Sequence, residues 1–398
     1  MDIKVNFSGR SLNYTEEEIA AVVEVMRNAD PLTQGRYQDA CQEKFRTFNG
    51  AQHAFACMNG TAALQMAADL CLLNAGDEVV IPSHTFTSSA YPFAARGAKL
   101  VFADIDPKTR VTAAEYIEPL LTPRSKVIIV PHLYGFVADM QPILALARKR
   151  GLLVVEDACQ AIGAEIDGKK AGNFADIGIF SFHSHKNLTT LGEGGMITVK
   201  DESRAKIIPM LRHNGHCAYE EKREDYWRPA MGDLDFPELE GRRIWPANYC
   251  LGEAECALGI KMLDRVLEIN AQKRARAMQF IDALSAYPEL EFHRENSLRH
   301  NYHLLAARLD GPASLRDAFI RRMFNEFAIK CVVQYYPLNR YPFYQKLGFG
   351  QADCPNADNF FDHMVSFPFQ HSLTDSECAY MLDCCKKTLD GLRADGKR

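Results

Sequence analysis

The stretch DIGIFSFHSHKNLTTLGEGGMITV, residues 176–199, decides how the rest of the chain is read. It opens on an apolar run, Ile177 to Phe182, and closes on another, Met196 to Val199. Short apolar runs bounded by glycine and polar residues predict strands. The connection between them holds His183, His185, Lys186, Thr189, Thr190 and the glycines of GEGG. A lysine in a polar turn beside a buried sheet has two readings. It is a solvated loop cation, or an amine held ready to condense with a carbonyl group.

Working outward, similar runs recur at Glu78 to Ile81, Leu100 to Ala103, Lys126 to Val130 and Leu152 to Glu156. Helical patterns separate several of them, Met140 to Arg150 among them. Strands alternating with helices predict an α/β chain with a mainly parallel sheet covered on both faces. The last two runs are close enough to pair as an antiparallel hairpin at one edge. Residues 15–28, TEEEIAAVVEVMRN, have helical spacing with acidic residues in the first turn. PLTQGRY, residues 31–37, reads as a loop. A helix follows NGTAAL (59–64) through about Leu73. From about 205 to 245 the chain is polar, with Trp, Pro and Gly scattered through it, and reads as an irregular excursion. A long helix, Leu251 to about Leu284, then bridges to a smaller domain. Strands are expected there near Tyr302 to Leu309 and Ile329 to Tyr336, with two or three helices. The division falls at 1–250 and 251–398.

At 398 residues the chain is too long for one ordinary core. With 47% hydrophobic and 24% charged residues and a net charge of -5, it reads as a soluble protein. No basic patch stands out, so nucleic acid and anionic membranes are not expected partners. No apolar run reaches the roughly 18 residues of a membrane span, and the N-terminus lacks an apolar signal core. The 12 cysteines are scattered with no C-x-x-C pair, which predicts free thiols, a cytoplasmic location and no metal site.

Four further positions carry chemistry. Asp157 ends the run LLVVED, where an open α/β sheet keeps its ligands; it could equally cap the next helix. NGTAAL is a small turn opening a helix, whose free N–H groups suit a phosphate. Ser181 ends a strand and could add a donor to the same anion, or be a satisfied strand-end hydroxyl. Phe86, in PSHTFTSSA, could stack on a flat heterocycle or pack in the core.

Together these supply what pyridoxal phosphate needs: an amine, a carboxylate for the pyridine nitrogen, an anion nest and a flat face. From about residue 10 to 390 the chain resembles the DegT/DnrJ-type sugar aminotransferases, of the fold-type I class. The matching motifs are NGTAAL, GDEVVIPSHTFTSSA, GAKLVFADID, VVEDACQAIGAE, FSFHSHKNLTTLGEGGMITV, LRHNG, NYCLGEAECALG, YYPL and SFPFQHSLT. The resemblance implies a mainly parallel seven-stranded sheet with a smaller C-terminal α+β domain. It makes Lys186 the lysine that holds the cofactor and Asp157 the partner of its ring nitrogen. Gln160 lies near the ring hydroxyl, and Phe86 stacks on the ring. Gly60, Thr61 and Ser181 hold the phosphate, joined by Asn248 from the neighbouring subunit of a homodimer.

The chain departs from the family pattern around Asn248. The family's G-x-N-x-R has Pro246 and Cys250 here in place of its glycine and arginine, and Asn59 stands where serine is common. His183 and His185 are turn residues or substrate contacts. The implied reaction moves an amino group, by analogy from glutamate, to a keto or aldehyde sugar of a surface polysaccharide or lipopolysaccharide. The acceptor is a nucleotide-linked keto-deoxy sugar or an oxidised octulosonate aminated at C8. Arg212, Arg242 and Arg243 are candidate anion binders or a solvated face. A related 3-dehydratase carries histidine in place of the lysine; here the alignment puts Lys186 there, which favours transamination. A catalytically silent sensor that binds the cofactor or a sugar is the alternative from another class.

Overall fold

A computed structural model describes residues 2–217 and 233–395. Its centre is a seven-stranded sheet: β1 (His53–Cys57), β2 (Glu78–Pro82), β3 (Lys99–Ala103), β4 (Ser125–Pro131), β5 (Leu153–Asp157), β6 (Ile177–Ser181) and β7 (Gly195–Val199). The order across the sheet is β1-β7-β6-β5-β4-β2-β3. Only β7 runs against its neighbours. The hairpin of β6 and β7 is therefore present, but it does not form the edge: β1 covers β7. Val79 to Ile81 and Val127 to Val130 are fully buried. Continuous apolar runs are what a parallel sheet covered on both faces demands. Each buried aliphatic side chain contributes about 1.5–3 kcal/mol.

The helices that matter for the site are α1 (Glu16–Asn28), α2 (Arg36–Asn49), α3 (Gly60–Leu70), α4 (Met140–Arg150), α5 (Glu202–Arg212) and α6 (Glu253–Ala283). The start of α1 follows from Thr15 and Glu18, which form a reciprocal capping box. The start of α2 has no side-chain cap of its own. Instead the buried carboxylate of Glu253, at the start of α6, accepts the N–H groups of Gly35, Tyr37 and Gln38 at 2.8–3.1 Å. An anion at a helix N-terminus is stabilised by the dipole and satisfies orphan donors.

One hydrophobic core surrounds the sheet and includes Cys256 to Ile269 of α6. A second gathers Ala277 to Leu284 with β8 (Leu290–Phe292), β9 (Leu305–Leu309), β10 (Met364–Phe367) and the helices α7 (Ala313–Asn325) and α8 (Asp375–Asp395). Val5 joins this second core. Two sequence expectations need correction here. Residues 205–212 are helical, not part of an excursion; residues 218–232 lie outside the described residues. Ile329 to Tyr336 is not a regular strand but touches its neighbours through isolated bridges, Val5 to Ile329 and Val332 to Ser366. The third strand of the small sheet is β10. Among the described residues no helix is long and apolar enough to cross a membrane.

Candidate active site

The C-terminal ends of β1, β2, β4, β5 and β6, with the N-terminal end of β7, surround a cavity of about 410 Å3. That volume is the size of a cofactor-and-substrate pocket. The position follows from the sheet: in open α/β sheets ligands sit at the carboxyl ends of strands.

Asp157 ends β5 and is 8% exposed. Ser89 Oγ donates to its Oδ2 at 2.5 Å, and the Cys159 N–H donates to its Oδ1 at 3.1 Å. Two donors on a buried carboxylate fix its direction. No helix follows Asp157: residues 159 and 160 form a turn, so the helix-cap reading is set aside and the bond to the Cys159 N–H is a contact within that turn.

Lys186 lies in the turn after β6. Its N–H donates to His183 carbonyl oxygen at 2.8 Å. Asn187 anchors the turn by donating to Asn270 Oδ1 at 2.8 Å and to Asn301 carbonyl oxygen at 3.3 Å. Thr190 Oγ1 bonds Glu193 carbonyl oxygen at 2.7 Å. So held, Lys186 lines the same cavity as Asp157. Burial lowers the pKa of its amine; Cys159 and Asp157 pull the other way. The Cys159 thiol is pushed well up by burial and by Asp157, so it stays neutral.

The turn from β1 into α3 forms the anion nest. Asn59 caps α3 by accepting the Ala62 N–H at 2.9 Å. A Cβ on Gly60 would stand 2.9 Å from Cys159 Sγ and 3.0 Å from Ser181 Cβ. A Cβ on Gly195, which pairs with both Cys57 and Ser181, would stand 2.6 Å from the Asn59 carbonyl carbon. Three chain segments therefore meet with no room for a side chain. Thr61 Oγ1 donates to Ser88 Oγ at 3.1 Å, and both line the cavity.

Phe86 is 49% exposed, and its ring meets Tyr335 edge-on at 5.8 Å. The core reading of Phe86 is thereby set aside: the ring is exposed and lines the cavity. Gln160 accepts the Tyr134 N–H at 2.7 Å and donates to Tyr335 Oη at 3.1 Å. Tyr134 Oη donates to Gln334 carbonyl oxygen at 2.6 Å. These bonds draw residues 334 and 335 out of strand geometry and onto the cavity.

Thus Gly60, Thr61, Phe86, Asp157, Gln160, Ser181 and Lys186 line one cavity. Asn248 does not. It is exposed, bridged to His213 on the surface. Of the candidate arginines, Arg212 is not exposed as expected. It is 6% exposed and donates to Ala56 carbonyl oxygen, Gln38 and Gln42 at 2.6–2.7 Å. Arg242 bonds Leu72 and Asn74, and Arg243 pairs with Glu238 at 2.9 Å. Sequence reasoning assigned no role to Ser89, Tyr335, Lys273 or His303, although TSSA and YYPL lie inside the motifs it used. Among the described residues no group of three His, Cys, Asp or Glu is placed to hold a metal.

Buried polar atoms without a protein partner accompany the cavity: Ser11 Oγ, His303 Nδ1 and Gln334 Oε1. With the turn at Gly60, the exposed aromatic ring and the amine near a carboxylate, the residues present fit pyridoxal phosphate.

Comparison with known proteins agrees with that fit. Residues 13–386 match the DegT/DnrJ/EryC1/StrS aminotransferase family. The GDP-perosamine synthase of Caulobacter vibrioides is 34% identical over 329 residues, 82% of this chain and 83% of that protein. The UDP-N-acetyl-3-dehydro-alpha-D-glucosamine 3-aminotransferase of Acidithiobacillus ferrooxidans is 32% identical over 90% of this chain and 89% of its own. An aminotransferase structure from Psychrobacter cryohalolentis superposes with a TM-score of 0.87 at 27% identity, covering 98% of this chain and 100% of that one.

Proposed function

The chain belongs to the DegT/DnrJ/EryC1/StrS aminotransferase family, and from that premise we propose how its own residues carry out sugar transamination with pyridoxal phosphate. The observation that carries the reading is the convergence of Lys186 and Asp157 on one cavity beside the Gly60 nest. Gly60 and Thr61 offer N–H groups and Ser181 a hydroxyl to the phosphate. Phe86 covers one face of the ring, and Gln160 lies near the ring hydroxyl.

When bound, the cofactor supplies an electron sink that stabilises negative charge at the donor's α-carbon. Asp157, held by Ser89 and Cys159, would be the partner of the pyridine nitrogen. Lys186 holds the cofactor at rest. Freed from it, the amine would take the proton from the donor's α-carbon and later return it. A base at neutral pH needs a lowered pKa, and the burial of Lys186 lowers it.

We assign glutamate as the amino donor. The acceptor is a keto or aldehyde sugar for a surface polysaccharide or lipopolysaccharide, in the cytoplasm. The named relatives act on nucleotide-linked sugars, which supports that acceptor class; an 8-keto-octulosonate is the second class. Two subunits share the sites, with Asn248 of each reaching the other's phosphate. Its exposed position outside its own cavity supports this arrangement.

The half-reaction tests the reading. Glutamate added to the yellow, cofactor-loaded protein should discharge the colour and release 2-oxoglutarate in equal amount. A silent sensor would keep its colour, and that result would overturn the proposal.

A further inference from the structure

Several residues of the cavity wall have no part in holding the cofactor: Ser11, His183, His185, Lys273 and His303. Lys273, in α6, is 2% exposed. Its Nζ donates to the carbonyl oxygens of His303 at 3.0 Å and Phe369 at 2.8 Å, so one of its three donors remains. Among the described residues no carboxylate pairs with it. The charge acting on it is of the same sign, from Arg276. A buried ammonium without a counter-ion costs several kcal/mol, and burial lowers the pKa of Lys273 to about 7.

Two other residues of the cavity wall are also short of partners. His303, 4% exposed, has an unpartnered Nδ1, and Ser11, 2% exposed, has an unpartnered Oγ. Burial disfavours the charged form of the His303 ring, and Lys186, Lys273, His185 and His183 act in the same direction. These groups line one cavity and make its wall rich in donors. The carboxylates on the cavity wall are Asp157 and Glu193. Asp157 is occupied by Ser89 and Cys159, and Glu193 Oε1 lies 3.9 Å from His183 Nε2 at the rim.

We propose that Lys273, His303 and Ser11 form a carboxylate-binding subsite of this cavity, with His183 and His185 at its rim. An ionised carboxylate accepts at both oxygens and donates nothing. It would take the remaining Lys273 N–H, the Ser11 hydroxyl and an imidazole N–H, and supply the counter-charge that Lys273 lacks. A neutral hydroxyl would satisfy the geometry and leave the ammonium uncompensated. The proposal rests on the aminotransferase reading for what carries the carboxylate: the amino donor, or a sugar acid as acceptor.

Calorimetric titration of the cofactor-loaded protein separates these sources without turnover. Two probe pairs suffice: glutarate against glutaramide for the donor, and 3-deoxy-octulosonate against its C1 amide for the acceptor. The wild-type protein should prefer the acid of at least one pair by on the order of 10-fold or more. The pair that shows the preference identifies the source. Lys273→Met should reduce the preference to within about 2-fold, and Ser11→Ala should reduce it several-fold. If Lys273→Met does not fold, Ser11→Ala decides. Equal binding of acid and amide in both pairs, or a preference that survives the substitutions, would overturn the subsite. A failed glutamate half-reaction with the acid preference intact would sink only the aminotransferase reading.

Discussion

Ser89 donates its hydroxyl hydrogen to Asp157 Oδ2 across 2.5 Å, with both residues buried. The bond joins the loop after β2 to the end of β5, so one strand's loop sets the direction of another strand's carboxylate. Ser89→Ala leaves Asp157 with the Cys159 N–H. Losing one hydrogen bond to a charge is worth about 1.5–3 kcal/mol. Transamination by Ser89→Ala should fall about 10-fold or somewhat more. Asp157→Asn removes the charge itself and should cost on the order of 100-fold or more. Steady-state kinetics on both variants checks the ranking; an Asp157→Asn protein faster than Ser89→Ala would contradict it.

The nest predicts an unusual response to alanine. At the first position of a helix, glycine to alanine ordinarily favours the helix by up to about 1 kcal/mol. Here the new Cβ would stand 2.9 Å from Cys159 Sγ and 3.0 Å from Ser181 Cβ. Gly60→Ala should therefore weaken cofactor binding by about 10-fold or more, as the turn is pushed off the ends of β5 and β6. Titration of the apoprotein with pyridoxal phosphate measures this. Unchanged affinity would mean that the turn does not hold the phosphate.

Lys186 sets a pH dependence whose sign follows from its environment. Only the unprotonated amine attacks a carbonyl. Burial lowers its pKa, so at a given pH more of it is unprotonated than of a free lysine, near 10.4 roughly. Capture of pyridoxal phosphate by the apoprotein should rise with pH and level off earlier than for a free lysine derivative under the same conditions. Stopped-flow absorbance across pH measures it. A protein curve lying at higher pH than the free amine's would contradict the burial argument.

Asn248 predicts complementation between subunits. Lys186→Ala and Asn248→Ala homodimers should each be impaired. Mixing the two by unfolding and refolding should restore about a quarter of wild-type activity, because half of randomly paired dimers are mixed and carry one intact site of two. No recovery on mixing would place Asn248 outside the neighbour's site.

Much of this was legible in the chain because strand ends and turns are local. LLVVED, IGIFSF and MITV mark buried strands by their own apolar content, and Asp157, Ser181 and Lys186 follow from where those strands stop. Helix α2 was not legible, because its first-turn donors are satisfied by Glu253, more than two hundred positions later. Strand β1, HAFAC, is short, and the sheet order that places it beyond β7 depends on pairing that no local pattern encodes. Ile329 to Tyr336 has strand composition, yet Tyr134 and Gln160 bond its far end and take it to the cavity. Lys273 is one lysine in a long helix, and only the fold brings His303 and Phe369 to its amine.

The central claim is that the amine of Lys186 carries the cofactor. Borohydride reduction of the cofactor-loaded protein, followed by digestion and peptide mass mapping, tests it directly. The account predicts a phosphopyridoxyl group on Lys186, and no such label anywhere in Lys186→Ala. A label on another lysine of the wild-type protein, Lys273 included, or none at all, would contradict it.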